Sequence, residues 1–186
     1  MTSFSFRNVS RWSPESKLIA NALITIGSVF LCLLVLPSRL PGMEILEIGP
    51  NWLLIWVVAW SVKRTQIQGC MAGVVLGLLQ DGMTAPFPSH SIGLAVAGYL
   101  TGRLQKQKYI QEDFISVALI VFGMAIVSET ITALQFLLVG RSVMGLWIDY
   151  QRIVLVSAIL SSLWAPIVYY PLNRWWSSMQ VKEKVK

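Results

Sequence analysis

The sequence predicts an all-α integral membrane protein, a bundle of about six transmembrane helices. Three observations carry that prediction. The first is composition: 55% of the 186 residues are hydrophobic and only 13% charged, and the mean hydropathy is +0.63, more apolar than a soluble domain sustains. The second is segmentation into apolar runs parted by short loops rich in proline or charge, with room for about six crossings at about 20 residues each. The third is charge asymmetry. With the amino terminus inside and the loops assigned alternately, Arg7, Arg11, Lys17, Lys63, Arg64, Arg103, Lys106, Lys108, Arg174, Lys182, Lys184 and Lys186 share one side, twelve of the fifteen basic residues. Only Arg39, Arg141 and Arg152 lie opposite. Because Lys and Arg in short loops resist translocation, both termini are expected in the cytoplasm. The net charge of +6 is then explained by anionic lipid at that face. Basic residues spread over every span end, without interleaved aromatics, do not form a nucleic-acid surface.

Residues 1–17 read as a polar cytoplasmic arm in which Ser13-Pro14-Glu15 opens a helix. The transmembrane domain follows over 18–172. Leu18 to Leu36 is the first span, too long for a signal-peptide core and lacking a small-residue cleavage site. A loop with Arg39, Glu44 and Glu47 ends at Pro50-Asn51, which presets the second helix. That helix, Trp52 to Val62, is stopped by Lys63-Arg64 and is too short to cover the hydrocarbon core unless its flanks snorkel or it lies inside the bundle. The third segment runs from Ile67 to Gln80. Asp81-Gly82 with Pro86 and Pro88 reads as a tight turn at the outer face. The fourth runs from Ser89 to Leu104, with Ser89 or Ser91 as N-cap. Phe114 to Val139 is the fifth, long enough to tilt. Ile153 to Leu172 is the sixth, interrupted by Pro166 and closed by Pro171, before Trp175 and Trp176 anchor it at the headgroups. Residues 173–186 form a basic cytoplasmic tail.

The stretch Gly69 to Tyr99 is read as the packing centre. Gly69, Gly73 and Gly77 recur every four residues, so they share one helical face and open a groove for another backbone. Gly93, Gly98 and Gly102 mark the returning segment in the same way. Two acids stand out. Asp81 reads as a turn residue that hydrogen-bonds nearby amides, a role Asn could fill. Glu129 is mid-span, where Thr132 and Gln135 or Phe136 extend a polar stripe that lipid would not tolerate, so it should face the bundle interior, a water-filled cavity or a partner, or else be protonated.

No catalytic, metal-binding or cofactor-binding residue is implied. His90 is the only histidine and has no acid beside it in sequence, which places it in the outer loop. Metalloprotease, nucleophile-elbow and phosphate-loop patterns are absent, and the glycines have helix-packing rather than loop spacing. Cys32 and Cys70 sit in apolar runs as small core residues.

Gly49-Pro50-Asn51-Trp52-Leu53-Leu54, a short aromatic helix ending in Ala59-Trp60, then Gly73, Gly77-Leu78 and Asp81, then Gly93-Leu94-Ala95 and Tyr99-Leu100 together resemble the bacterial rod-shape-determining protein family MreD. Leu163-Trp164 with Pro166 is a weaker second signature, and the stiff Pro86-Phe87-Pro88 turn departs from the pattern. The resemblance implies a six-helix, multi-pass protein of the inner membrane without catalysis, similar in fold to the substrate-binding subunits of energy-coupling-factor transporters. It would work as a scaffold beside MreC and, through it, MreB and the glycan polymerase and transpeptidase pair that elongates the wall. Pro50, Asn51, Trp52, the glycines at 69, 73, 77 and 93, Asp81 and Glu129 are then the expected partner or helix-packing positions. The alternative is a small-molecule-binding subunit of a transporter of that type. It would need a cavity with several convergent polar groups, whereas a scaffold needs only an apolar groove.

Overall fold

A computed structural model describes residues 13–38, 42–84, 87–104 and 114–180. Arg7, Arg11, Arg39, Pro86, Lys106, Lys108 and the residues of the VKEKVK end lie outside them. Among the described residues the chain forms six helices, α1 (Pro14–Val35), α2 (Trp52–Ser61), α3 (Gln66–Met83), α4 (His90–Leu104), α5 (Phe114–Leu138) and α6 (Val143–Gln180), and no strand beyond an isolated bridge between Ile45 and Ile48. Three of them, α1, α5 and α6, are long and apolar enough to cross a membrane.

Local signals set the helix starts. Ser13 caps α1, its Oγ accepting the Ser16 amide at 3.2 Å with proline following directly. Asn51 caps α2 by accepting the Leu54 amide at 3.0 Å. Thr65 and Gln68 form a reciprocal capping box on α3, satisfying two of the amides that a helix start leaves without partners.

The hub of the bundle is α2, not the glycine hairpin. Ten residues at about 1.5 Å each give a rod of about 15 Å, half the hydrocarbon thickness. It survives because protein surrounds it: Leu53, Leu54, Val57 and Val58 are 0% exposed, and α2 touches all five other helices. Trp56 and Trp60 stack at 5.3 Å, and Trp176 of α6 meets them edge-on at 6.3 and 5.1 Å. The Trp56 indole donates to Ser28 Oγ at 2.9 Å, tying in α1.

The expected α3–α4 packing is present. A Cβ added at Gly69 would collide with the backbone of Gly98, at Gly73 with that of Leu94, and at Gly77 with that of Ser91. Gly98 and Gly102 return the contact, whereas Gly93 faces α5, where its added Cβ would lie 2.6 Å from Ser128 Oγ. The glycine groove is therefore filled by the chain's own helix.

Two expectations are corrected. The sixth helix is not interrupted by Pro166 or closed by Pro171; both lie inside α6. Each removes one amide donor, but Val154, Ala158, Ser161, Ala165, Tyr169, Leu172 and Trp176 form one buried stripe at helical spacing through both prolines, and that stripe keeps the helix continuous. Trp176 belongs to the core at 6% exposure rather than to a headgroup belt.

Candidate functional site

Helix α3 does not end before Asp81. It continues through Gly82 to Met83, and the reason lies in what Asp81 touches. Its Oδ1 accepts the His90 amide and meets His90 Nδ1, both at 2.8 Å, and its Oδ2 accepts Ser89 Oγ at 2.8 Å. The carboxylate thus sits on the first turn of α4, where unpaired amides and the positive end of the helix dipole favour an anion. Asp81 is not a turn residue bonding its own loop but a cap supplied by one helix to the next. His90, expected in the loop with no acid near it, is the first residue of α4 and is paired with that acid. From α5, Gln135 completes the junction, with Oε1 accepting the Ser89 amide at 2.8 Å and Nε2 donating to the Ser89 carbonyl at 2.9 Å. Three helices are joined at this point by side chains that are far apart in sequence.

Beside this junction lies a cavity of about 410 Å³. Pro50, Asn51 and Trp52 form part of its wall, together with Gln80 and His90 of the hairpin, Ser128, Glu129 and Thr132 of α5, and Ser157 of α6. Glu129 faces inward as its stripe requires. Among the described residues its Oε1 accepts one long contact, 3.4 Å from Ser157 Oγ. The amide of Asn51 donates to Ser161 Oγ at 2.9 Å, which fixes the rim to α6. Over the cavity runs the α1–α2 loop, contributing Glu44 and Glu47. There Leu46 and Glu47 both hold positive φ, 56° and 66°, between the paired residues Ile45 and Ile48. This is a two-residue hairpin that glycine or asparagine would form with less strain.

Of the expected site residues, Pro50, Asn51, Trp52 and Glu129 meet at the cavity, and Asp81 stands behind His90. Gly69, Gly73, Gly77 and Gly93 lie in helix contacts instead. Sequence reading passed over Gln80, Ser128 and Ser157. Gln80 could have been found, because it continues the Gly69, Gly73, Leu76, Gly77 stripe by one more turn.

The model of one protein family, described as rod shape-determining protein MreD, matches residues 17–175. The chain belongs to the MreD family. Rod-shape determination is therefore the process in which this MreD-family membrane protein acts. No curated protein and no solved structure matches it, so the likeness to substrate-binding subunits of energy-coupling-factor transporters rests on the sequence resemblance alone.

Proposed function

We propose that this chain is a non-catalytic scaffold of the bacterial cell-elongation machinery, needed for rod shape and for organised lateral peptidoglycan synthesis. The family match over residues 17–175 carries the reading. In this proposal it sits in the inner membrane with both termini cytoplasmic and anionic lipid at that face. It binds MreC and, through MreC, joins MreB and the glycan polymerase and transpeptidase pair. A long apolar helix such as α1, with Leu18, Leu23, Ile26 and Phe30 all more than half exposed, suits a protein whose surroundings are lipid and other helices. The glycine grooves are occupied within the chain, so a partner has to dock elsewhere.

One observation leans to the second reading, a small-molecule-binding transporter subunit: the cavity gathers more polar groups than the sequence led one to expect. The family match outweighs it, because a cavity is compatible with either role whereas the family is tied to shape. The test is complementation together with co-purification. Expression in rod-shaped bacteria lacking their own copy should restore rods, and MreC should be recovered from native membranes. Recovery of a transporter ATPase without MreC, and no restored shape, would refute the scaffold.

A further inference from the structure

We propose that the cavity under the 42–50 loop is a binding site for a small ligand carrying a protonated primary amine. This goes beyond the scaffold reading and does not depend on it.

Among the described residues the charged groups of the wall have one sign: Glu44, Glu47 and Glu129 line it, and no described lysine or arginine does. Arg152, a basic residue among the described ones next to the loop, reaches the Leu46 carbonyl at 3.5 Å instead. Among the described residues His90 is the one wall group able to carry positive charge, and it is paired with Asp81 at 2.8 Å, so the two together add no net positive charge. Electrostatically the cavity therefore selects a cation.

The unmet hydrogen bonds point the same way. Gln80 is 8% exposed, belongs to the wall, and its Oε1 has no hydrogen-bond partner among the described residues. Such a buried acceptor needs a donor. Among the described residues the two carboxylate oxygens of Glu129 have one hydrogen-bond contact, 3.4 Å from Ser157 Oγ, although an ionised carboxylate in a span calls for close compensation. An ammonium group has three donors and no acceptor, which matches the open acceptors at Gln80 and Glu129. Trp52 adds an aromatic ring to the same wall, a surface that also attracts cations.

Size and ligand geometry exclude a bare metal ion. Among the described residues no three His, Cys, Asp or Glu side chains are grouped to ligate one, and 410 Å³ lies in the range of organic-ligand pockets, about 300–1,000 Å³. The amine can belong to a free small molecule or to an aminated lipid headgroup. The chemistry at Glu129 and Gln80 is the same for both.

The experiment uses the full chain in nanodiscs of phosphatidylglycerol alone, with thermal unfolding followed against added ethanolamine and putrescine. A second arm replaces part of the lipid with phosphatidylethanolamine. Ligand that binds only the folded state raises the midpoint in proportion to its saturation. A saturable rise with either amine, absent with 1,4-butanediol and with sodium chloride at equal ionic strength, supports a free-amine site. A rise only with phosphatidylethanolamine supports the same site with the headgroup as its source. In Glu129→Gln, which keeps the shape and removes the charge, the apparent affinity should fall at least tenfold. Should that variant not fold, the loop variant Glu44→Gln/Glu47→Gln carries the test, with affinity falling at least threefold. The proposal is overturned if neither the amines nor the amine-bearing lipid raises the wild-type midpoint, or if the folded variant responds as the wild type does.

Discussion

Replacing Gly73 with alanine adds a single methyl group and tests whether α3 and α4 are held at backbone contact. That methyl would fall on the carbonyl of Leu94 and lie 2.6 Å from the amide nitrogen of Ala95, 0.8 Å inside the 3.4 Å edge of ordinary contact. All three of its near neighbours are backbone atoms, so no side chain can rotate away and the helices must separate. Overpacking by a methyl group costs about 1–3 kcal/mol. A rigid backbone neighbour places this site at the upper end of that range. Against it stands a gain of about 1 kcal/mol for alanine over glycine within a helix. The net expectation is a loss of about 1–2 kcal/mol. The matched control is Gly123→Ala in α5, where nothing lies within 4 Å of the new methyl and only the helical gain remains. At roughly 2–4 °C per kcal/mol for a chain of this length, Gly73→Ala should melt several degrees below the wild type and Gly123→Ala slightly above it. Gly73→Leu should fail to accumulate as folded protein. Thermal unfolding of the purified protein, followed by the fluorescence of the Trp56, Trp60 and Trp176 cluster, measures the order. If Gly73→Ala melts at or above the wild type, the close α3–α4 approach is not what the bundle depends on.

Two further outcomes follow from the same structure. Asp81→Asn should lower stability by about 1–3 kcal/mol, because a neutral amide cannot replace both carboxylate oxygens that accept from Ser89 and His90 or match the α4 dipole; a thermal midpoint equal to the wild type would return Asp81 to the role of a turn residue. A reporter active only outside the cytoplasm should be silent when fused to either terminus and active when inserted between α1 and α2, and activity at the carboxyl terminus would break the even span count.

Much of the fold was legible because its signals are local. Ser13 and Asn51 cap helices within three residues of themselves, and the Gly69, Gly73 and Gly77 stripe states its own face. Legibility failed where two local signals competed. Pro166 and Pro171 read as breaks, yet the buried stripe from Val154 to Trp176 passes through both, since seven buried positions on one face outweigh two missing amide donors. Asp81-Gly82 read as a turn for the same reason. Its helical continuation depends on the amide of His90, nine positions along the chain and on another helix, which no local pattern carries. The short α2 segment posed the opposite difficulty: its length falls short of the hydrocarbon core, and only its surroundings show why so short a helix is stable there.

The cavity was the least legible feature, and the cause is geometric. Its polar groups come from the α1–α2 loop, α3, α4, α5 and α6, each contributing one to four that singly have an ordinary account. Glu129 alone announced itself, because a carboxylate within an apolar run has few acceptable environments. From it the rest can be worked backward. A buried acid requires polar neighbours on the helices it faces, and Ser157 on α6 and Gln80 on the extended glycine stripe are candidates at helical spacing. The glycines take part in this indirectly. By letting α4 press against α3, they bring His90 beside Asp81 and hold both next to the space that Glu129 faces. Gly73 and Glu129, which looked like separate features of packing and polarity, are therefore coupled through α4, and a loosened hairpin should disturb the cavity before it unfolds the bundle.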